Sequence, residues 1–258
     1  MSKYILLKSF FKKEYILFKR YFFNSIGGLV TIYIIFLLIF LGYKGLIGNS
    51  PNFGRNVEGL IVGYTLWMFA LVCYQEISAN ISIECREGTL EQLYMSAYPF
   101  RWILIVRTLA SVLFSFIIIG IMTTLLMVTT GRYLNIDLLS IIPVILLTLL
   151  CFYSIGLMIG GITLVFKKIG SFLQIIQFAI VGFIVAPISK VAWFRFLPGT
   201  LGSKMISKIM IGGESIFDFS VYQILELAII GIVYLILGSI VYKICENKAM
   251  EKGILGHY

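Results

Sequence analysis

Charged residues and histidine are scarce in this chain of 258 residues. Only 13% of the residues are Asp, Glu, Lys or Arg, there is one histidine, His257, and 60% are hydrophobic. Few charges and long apolar blocks exclude a soluble globular protein and place the chain among polytopic membrane proteins.

The patterns of an enzyme are also missing. The sequence contains no G-x-x-x-x-G-K-[ST] phosphate loop, so we expect no ATPase site in this chain. It also contains no H-E-x-x-H, paired aspartates or Ser-His pair, which argues against a membrane-embedded enzyme. We therefore expect no catalytic residue, no metal site and no cofactor in this chain.

Cysteine is infrequent, and no C-x-x-C spacing occurs. We interpret the four cysteines as small apolar residues and not as a disulfide framework or metal site; they are Cys73, Cys85, Cys151 and Cys245.

The net charge of +9 comes from Lys and Arg that lie mainly between the apolar blocks. They act there as topology signals, and no basic domain exists to bind nucleic acid.

Six apolar blocks are long enough to cross a bilayer core of about 30 Å. We place these spans at Ile26–Tyr43, Val57–Asn80, Trp102–Thr130, Ser140–Phe166, Ser171–Ile188 and Tyr222–Lys243. With the N-terminus inside, Lys and Arg are about twice as frequent on the inner side. The positive-inside rule then puts both termini, including the tail 244–258, and the Glu84–Pro99 segment in the cytoplasm.

Two segments outside the spans are amphipathic. Residues 1–24 place Lys8, Lys12 and Lys13 on one arc opposite apolar side chains, which predicts an interfacial helix; the alternative is a plain cationic lead-in to the first span. Residues 189–220 are too apolar for a simple outer turn. They predict short helices that dip into the outer leaflet, with an aromatic belt on a surface loop as the alternative.

The segment from Glu84 to Pro99 is polar and contains helix signals. Gly88 is a poor helix former, and Thr89 with Gln92 makes a capping box, so we expect a helix to begin at Leu90 and to end before Pro99. Its exposed acidic residues beside an apolar face suit docking to a partner protein. A well-capped connector without a partner is the alternative.

This segment, E-x-R-E-G-T-L-E-Q-L-Y-M-S, resembles the cytoplasmic coupling segment of ATP-binding-cassette (ABC) transporter permeases of the type-2 export family. Similar pieces occur along nearly the whole chain: K-R-Y-F-F-N-S-I-G-G-L-V, L-L-S-I-I-P and the closing K-G-I-L-G-H-Y. Family members commonly have proline directly after the M-S pair, where this chain has Ala97 and delays proline to Pro99. This difference leaves open where the coupling helix within 84–99 ends, and it does not affect the resemblance.

The resemblance implies an all-α membrane protein with six transmembrane helices, an N-terminal elbow helix and a cytoplasmic coupling helix. It implies a separate ABC ATPase subunit that binds ATP and Mg, a second permease copy, identical or a sister, and a multi-pass location in a bacterial cell membrane. By the same resemblance, the residues that contact the ATPase are Glu84, Arg86, Glu87, Gly88, Thr89, Leu90, Glu91 and Leu93.

The implied function is outward transport of an amphiphilic substrate, such as a drug, an antimicrobial peptide or a lipid-like natural product. The apolar spans, which carry few charges near the midplane, favour such a cargo. Export of a lipid-linked polysaccharide by the same machinery is the alternative. An ion-gradient-driven secondary transporter is the other, although we detect no inverted repeat or midplane charge.

A few polar or aromatic residues inside the spans are candidates for the substrate pathway. Glu226 lies near the outer edge of the last span, where snorkelling to the interface or pairing with a loop lysine is the alternative. Gln174 and Gln177 share one face of the fifth span and either line the pathway or bond to another helix. Trp67 lies deep in the second span, where packing is the alternative role. Gly156 and Gly160 form a G-x-x-x-G that permits close helix approach.

Overall fold

A computed structural model describes residues 3–47, 53–96, 98–166, 169–186, 188 and 191–251. Ala97, Lys190 and the closing K-G-I-L-G-H-Y lie outside these residues. The described part is helical and contains no strand. Its α-helices are α1 (Lys3–Arg20), α2 (Phe22–Ile47), α3 (Phe53–Glu87), α4 (Leu90–Tyr94), α5 (Phe100–Thr130), α6 (Leu138–Phe166), α7 (Gly170–Val185), α8 (Thr200–Gly212) and α9 (Val221–Glu251).

Five of these helices, α2, α3, α5, α6 and α9, are long and apolar enough to cross a membrane. Helix α7, which corresponds to the predicted fifth span, has only 16 residues. At 1.5 Å per residue it is about 24 Å long, shorter than the bilayer core of about 30 Å. The structure therefore supports five full-length spans. At the place of the predicted fifth span it has the shorter apolar helix α7.

Helix α3 lies at the centre of the bundle and packs against α5, α6, α7 and α8, while α6 packs along α9. Glycines on α6 allow the close approach. A Cβ added at Gly156 would lie 3.0 Å from the Cα of Tyr74 in α3, and one at Gly161 would lie 3.0 Å from the Cα of Tyr242 in α9. The G-x-x-x-G of α6 thus faces α3, in agreement with the predicted role in helix packing.

Helix α1 runs along α5. Phe11 and Phe18 pack edge-on against Phe114 of α5, with ring centroids 6.0 Å and 5.6 Å apart. The basic side chains on the opposite arc, such as Lys12 and Lys19, are exposed. A distinct amphipathic helix is therefore present, and it ends at Arg20, four residues before the predicted boundary.

Residues 191–220, the described part of the predicted segment 189–220, do not form a surface loop, because most of them pack on the bundle. Helix α8 buries Met205, Ile206 and Ile209 against the core that α3 and α6 share. The Thr200 hydroxyl donates a 2.6 Å hydrogen bond to the carbonyl of Phe183 at the end of α7. Short 3₁₀ turns, Ala192–Phe196 and Ile216–Asp218, flank this helix.

Two predicted segments differ in extent from the observed helices. Within the predicted coupling segment 84–99, Glu84–Glu87 belong to α3, and α4 begins at Leu90 as predicted and ends at Tyr94, before Pro99. Pro99 does not end α4 but precedes the first turn of α5, where its carbonyl accepts the amide of Trp102 at 2.8 Å. The predicted tail from residue 244 is likewise helical as far as Glu251, because Tyr242, Glu246 and Ala249 continue the buried face of α9.

Candidate functional site

The turn between α3 and α4 depends on Gly88. Its φ of 68° is left-handed, which favours glycine. The amide of Gly88 bonds to the carbonyl of Cys85 at 3.4 Å, and that of Thr89 bonds to the carbonyl of Glu84 at 3.0 Å. These two bonds form a Schellman motif that ends α3 and lets α4 begin at Leu90, as the sequence predicts.

The predicted capping box at Thr89 is wrong. The backbone of Thr89 is already helical, and its side chain makes no capping hydrogen bond to α4. Its hydroxyl instead donates to the carboxylate of Glu84. In a capping box the hydroxyl oxygen accepts a hydrogen bond from a backbone amide, which requires a non-helical backbone that Thr89 lacks.

Glu84 also forms an ion pair within the bundle. Its Oε1 accepts a 2.8 Å bond from Nη1 of Arg107 in α5, and the two side chains are only 14% and 9% exposed. The ion pair joins the last turn of α3 to the first third of α5. Because Thr89 also bonds to Glu84, the start of α4 is attached to the same pair. Arg107 is not among the residues predicted from the sequence, because nothing in the local pattern distinguishes it from the topology-setting arginines.

The inner face of α4 is fixed to two other helices. Leu90 is 1% exposed and packs in a cluster with Phe100 and Leu104 of α5 and Tyr242 of α9. The ring of Tyr94 stacks on Phe100 with centroids 4.4 Å apart. Movement of this short helix would therefore displace its neighbours.

A polar contact extends this attachment to α9. Tyr94 Oη donates a 3.1 Å hydrogen bond to Oε1 of Glu246, whose Oε2 accepts one of 3.1 Å from Nε of Arg101. Burial raises the pKa of Tyr94 above its usual value, so the phenol remains a proton donor at neutral pH. No local sequence pattern points to Glu246, since its partners lie about 150 residues away.

The outer face of the turn is open. Among the residues expected to contact an ATPase, Arg86, Glu87, Gly88 and Glu91 are exposed. Thr89 and Leu93 are half-buried, whereas Glu84 and Leu90 lie inside the bundle. Met95, which the sequence analysis did not single out, is 87% exposed directly after α4. The α3–α4 turn therefore has an exposed, mainly acidic outer surface, and the inner face of α4 is packed against α5 and α9.

A second polar cluster lies where α1 meets α3 and α5. Glu76 of α3 accepts bonds from Asn80 at 2.8 Å and from Ser111 of α5 at 3.1 Å. Glu14 of α1 lies beside this group. Burial raises the pKa of Glu14, and the nearby Glu76 carboxylate raises it further, while Arg107 opposes both effects. These contacts connect α1 to the same ion pair that holds the α3–α4 turn.

The four candidate pathway residues do not come together. Trp67 is 8% exposed, and its ring lies 5.0 Å from that of Tyr64. Glu226 pairs with Arg195 of the preceding 3₁₀ turn at 3.4 Å, so its loop partner is an arginine and not a lysine. Gln174 is exposed and Gln177 half-exposed on α7, and neither forms a side-chain hydrogen bond to another described residue.

Two apolar cavities lie within the chain. One of about 110 Å³, between α3, α5, α6 and α8, contains the 3.0 Å hydrogen bond between the hydroxyls of Thr65 and Thr123. The other, of about 250 Å³, lies between α5 and α6. Within the described ranges, no group of three or more His, Cys, Asp or Glu side chains is placed to hold a metal ion.

Comparison with known proteins identifies the family. No curated protein and no solved structure matches the chain significantly. A sequence model of the ABC-2 type transporter family matches residues 5–211, about four fifths of the chain, from α1 into α8. The chain, a multi-pass membrane protein by its apolar helices, therefore belongs to the ABC-2 type transporter family.

Proposed function

We propose that this chain is the permease subunit of an ABC exporter, and that a separate ATPase drives it through the α3–α4 turn. The observation that carries the proposal is the two-sided turn: Glu87 and Glu91 are exposed, while Leu90 and Tyr94 of the same helix are packed against α5 and α9. A partner that binds the exposed face of α4 would therefore contact a helix whose opposite face is packed against the bundle.

The contacts of the turn give the route by which force would enter the bundle. Displacement of α4 moves Tyr94 and, through Glu246, the end of α9. It also moves Glu84 and, through Arg107, helix α5. Rigid helices joined by ion pairs and packed rings transmit a displacement at one end along their length. ATP-driven closure of two ATPases would in this way rock two permease halves between inward-open and outward-open states.

We place the substrate path between two copies of the chain, and the small size of the two cavities described above supports this. The cavities within one copy, about 110 and 250 Å³, are smaller than the roughly 300–1,000 Å³ that drug-sized ligands occupy. The second copy is an identical chain or a sister permease. The substrate class is an amphiphile, because the helices offer apolar surfaces and few charges.

The orientation follows from the distribution of basic residues. The α3–α4 turn and both termini are cytoplasmic, and the basic face of α1 lies at the inner interface as an elbow helix. The membrane is the cell membrane of a bacterium. ATP and Mg bind to the partner ATPase and not to this chain.

The test is a charge reversal on the exposed face of the turn. Glu87→Lys and Glu91→Lys should each reduce copurification of the ATPase, and substrate export with it, at least tenfold, because a charge is inverted within the proposed contact. Glu251→Lys makes the same change on an exposed carboxylate at the end of α9 and should leave both unchanged. Membrane insertion should be normal in all three variants.

A second variant separates docking from transmission. Tyr94→Phe keeps the stacked ring and removes the hydrogen bond to Glu246, so the ATPase should still copurify while export per ATP hydrolysed falls. Normal export and normal ATPase binding in both lysine variants would refute the proposed contact. Export that survives ATP depletion and collapses with the ion gradient would identify a secondary transporter instead.

A further inference from the structure

The cavity of about 250 Å³ is a groove between α5 and α6, which we call the α5–α6 groove. Ile105, Leu109 and Val112 form one wall, Leu146 and Leu150 form the other, and Cys73 of α3 lies at its base. Ile105, Leu109 and Leu146 are 40–42% exposed, so the groove opens onto the apolar outer surface of the bundle.

Two hydroxyl groups in this apolar groove have no partner. Thr108 of α5 is 3% exposed and Tyr153 of α6 buries its Oη, and neither hydroxyl has a hydrogen-bond partner among the residues that the structure describes. Thr123 and Thr148, by contrast, donate to the carbonyl four residues earlier, at 2.8 Å and 2.6 Å. Because a buried polar group without a partner is costly, the groove requires a hydrogen-bonding occupant.

The chemistry of the groove defines that occupant. Two hydroxyl donors match one carbonyl oxygen, which has two lone pairs, and the apolar walls match a hydrocarbon chain. The volume is below the range of drug-sized ligands and suits a single chain.

The depth of Thr108 also fits a bilayer lipid. Thr108 directly follows Arg107, whose ion pair with Glu84 marks the polar level at the α4 end of the bundle. From there the walls run towards Leu146, deeper in the hydrocarbon region. The carbonyls of acyl esters lie at the same boundary between polar and apolar layers.

We infer that the α5–α6 groove binds one acyl chain of a bilayer glycerolipid, whose ester carbonyl accepts hydrogen bonds from Thr108 and Tyr153. This site is independent of the proposed export function, since it needs neither an ATPase nor a transported substrate. It makes the arrangement of α5 and α6, which both pack on α3, depend on the lipid that surrounds the protein.

Photolabelling tests this site. The full-length protein is reconstituted with a phosphatidylcholine that carries a diazirine in one acyl chain, and labelled residues are located by mass spectrometry. Label should appear on α5 and α6 within the groove. Leu109→Trp fills the groove and should abolish it, whereas Leu113→Trp, at an equally exposed position one turn away outside the groove, should not.

The hydrogen bonds are tested separately from the shape. Thr108→Val with Tyr153→Phe removes both donors at nearly constant volume and should reduce labelling about tenfold, as loss of two hydrogen bonds predicts. An ether-linked probe, which lacks the carbonyl, should label the unmodified protein about tenfold less than the ester probe. Thermal stability of the double variant should be unchanged or higher in lipid-free detergent.

Three results would overturn the inference. One is equal labelling of Leu109→Trp and the unmodified protein, and another is equal labelling by ester and ether probes. The third is labelling by an exported amphiphile that the lipid does not compete with, which would assign the groove to the substrate. None of these results bears on ATPase docking, so the proposed function would stand or fall by its own test.

Discussion

Glu84 and Glu87 are three residues apart and have opposite surroundings. Glu84 is held by Arg107 and Thr89 inside the bundle, whereas Glu87 is exposed at the end of α3. Both belong to the same acidic motif, and residue type does not separate them. The structure assigns Glu84 to holding the turn and leaves Glu87 available to a partner.

The ion pair of Glu84 should be costly to break from one side. Arg107→Ala leaves a buried carboxylate without its counter-charge, and the free energy of unfolding should fall by about 3–5 kcal/mol. Replacement of both partners, as Glu84→Leu with Arg107→Met, should recover most of this loss. Thermal unfolding in detergent measures both, and equal destabilisation of the single and double variants would contradict this account.

Glu14 should make stability depend on pH. Its raised pKa means that the folded state favours the protonated acid, so this contribution to stability is present below the usual pKa of 4.5 and is lost as pH rises through the folded-state pKa. Glu14→Gln, an uncharged mimic, should therefore melt at a higher temperature than the unmodified protein at pH 7, with the difference disappearing near pH 4.

The control for that comparison is Glu87→Gln, which removes an exposed carboxylate on the neighbouring helix and should leave the melting temperature unchanged at either pH. A melting temperature of Glu14→Gln that stays equal to that of the unmodified protein across the range would show that Glu76 and Arg107 do not act on Glu14 as described.

Helix α4 has five residues, too few to be stable alone, because helix nucleation is unfavourable and short helices are marginal in water. Its stability comes from Gly88 at one end and from Leu90 and Tyr94 beneath it. At the scale of the larger helices, small residues decide the packing: Gly156 and Gly160 of α6 face α3, and Gly238 of α9 faces Ser154 of α6.

Alanine substitution should distinguish packed from unpacked glycines. A Cβ at Gly160 would lie 2.6 Å from Cγ2 of Ile77, so Gly160→Ala should destabilise the protein by about 1–3 kcal/mol. Gly59, in α3, has nothing within 4 Å, and Gly59→Ala should be neutral or gain about 0.5–1 kcal/mol from helix propensity. Equal melting temperatures for the two variants would refute the close α3–α6 contact.

In the whole molecule, α2 and α7 are the least covered of the apolar helices. Only 11% of the most apolar window of α2 is buried, and α7 buries just Ile180 and Ile184. Exposed glutamine on α7 is unfavourable against lipid, because an amide loses its hydrogen bonds there. This face is therefore the one that we expect to meet a second permease copy.

Cysteine crosslinking tests that expectation. In a chain without its four native cysteines, Gln174→Cys should form a disulfide-linked dimer of about twice 29.2 kDa in membranes. Ile121→Cys, on a lipid-facing part of α5 that is 65% exposed, should remain monomeric under the same oxidation. A dimer from the Ile121 variant alone would move the interface to α5.

The sequence by itself determined the class of protein, the positions of five long apolar helices and the start of α4. Long apolar blocks admit few structures besides membrane helices, and Gly88 stops α3 because its backbone conformation is local. The family motif from Glu84 to Ser96 is contiguous as well. These features depend on neighbours in the chain, so sequence patterns are sufficient to predict them.

Only the tertiary structure decided which residues of each helix face the bundle and which residues they contact there. Arg107 pairs with Glu84 over 23 residues, and Tyr94 bonds to Glu246 over 152. The packing of α8 and the unpaired hydroxyls of the α5–α6 groove likewise arise between distant segments. Such contacts depend on how helices pack, and the apolar pattern of a helix that is buried on several sides does not specify its partner.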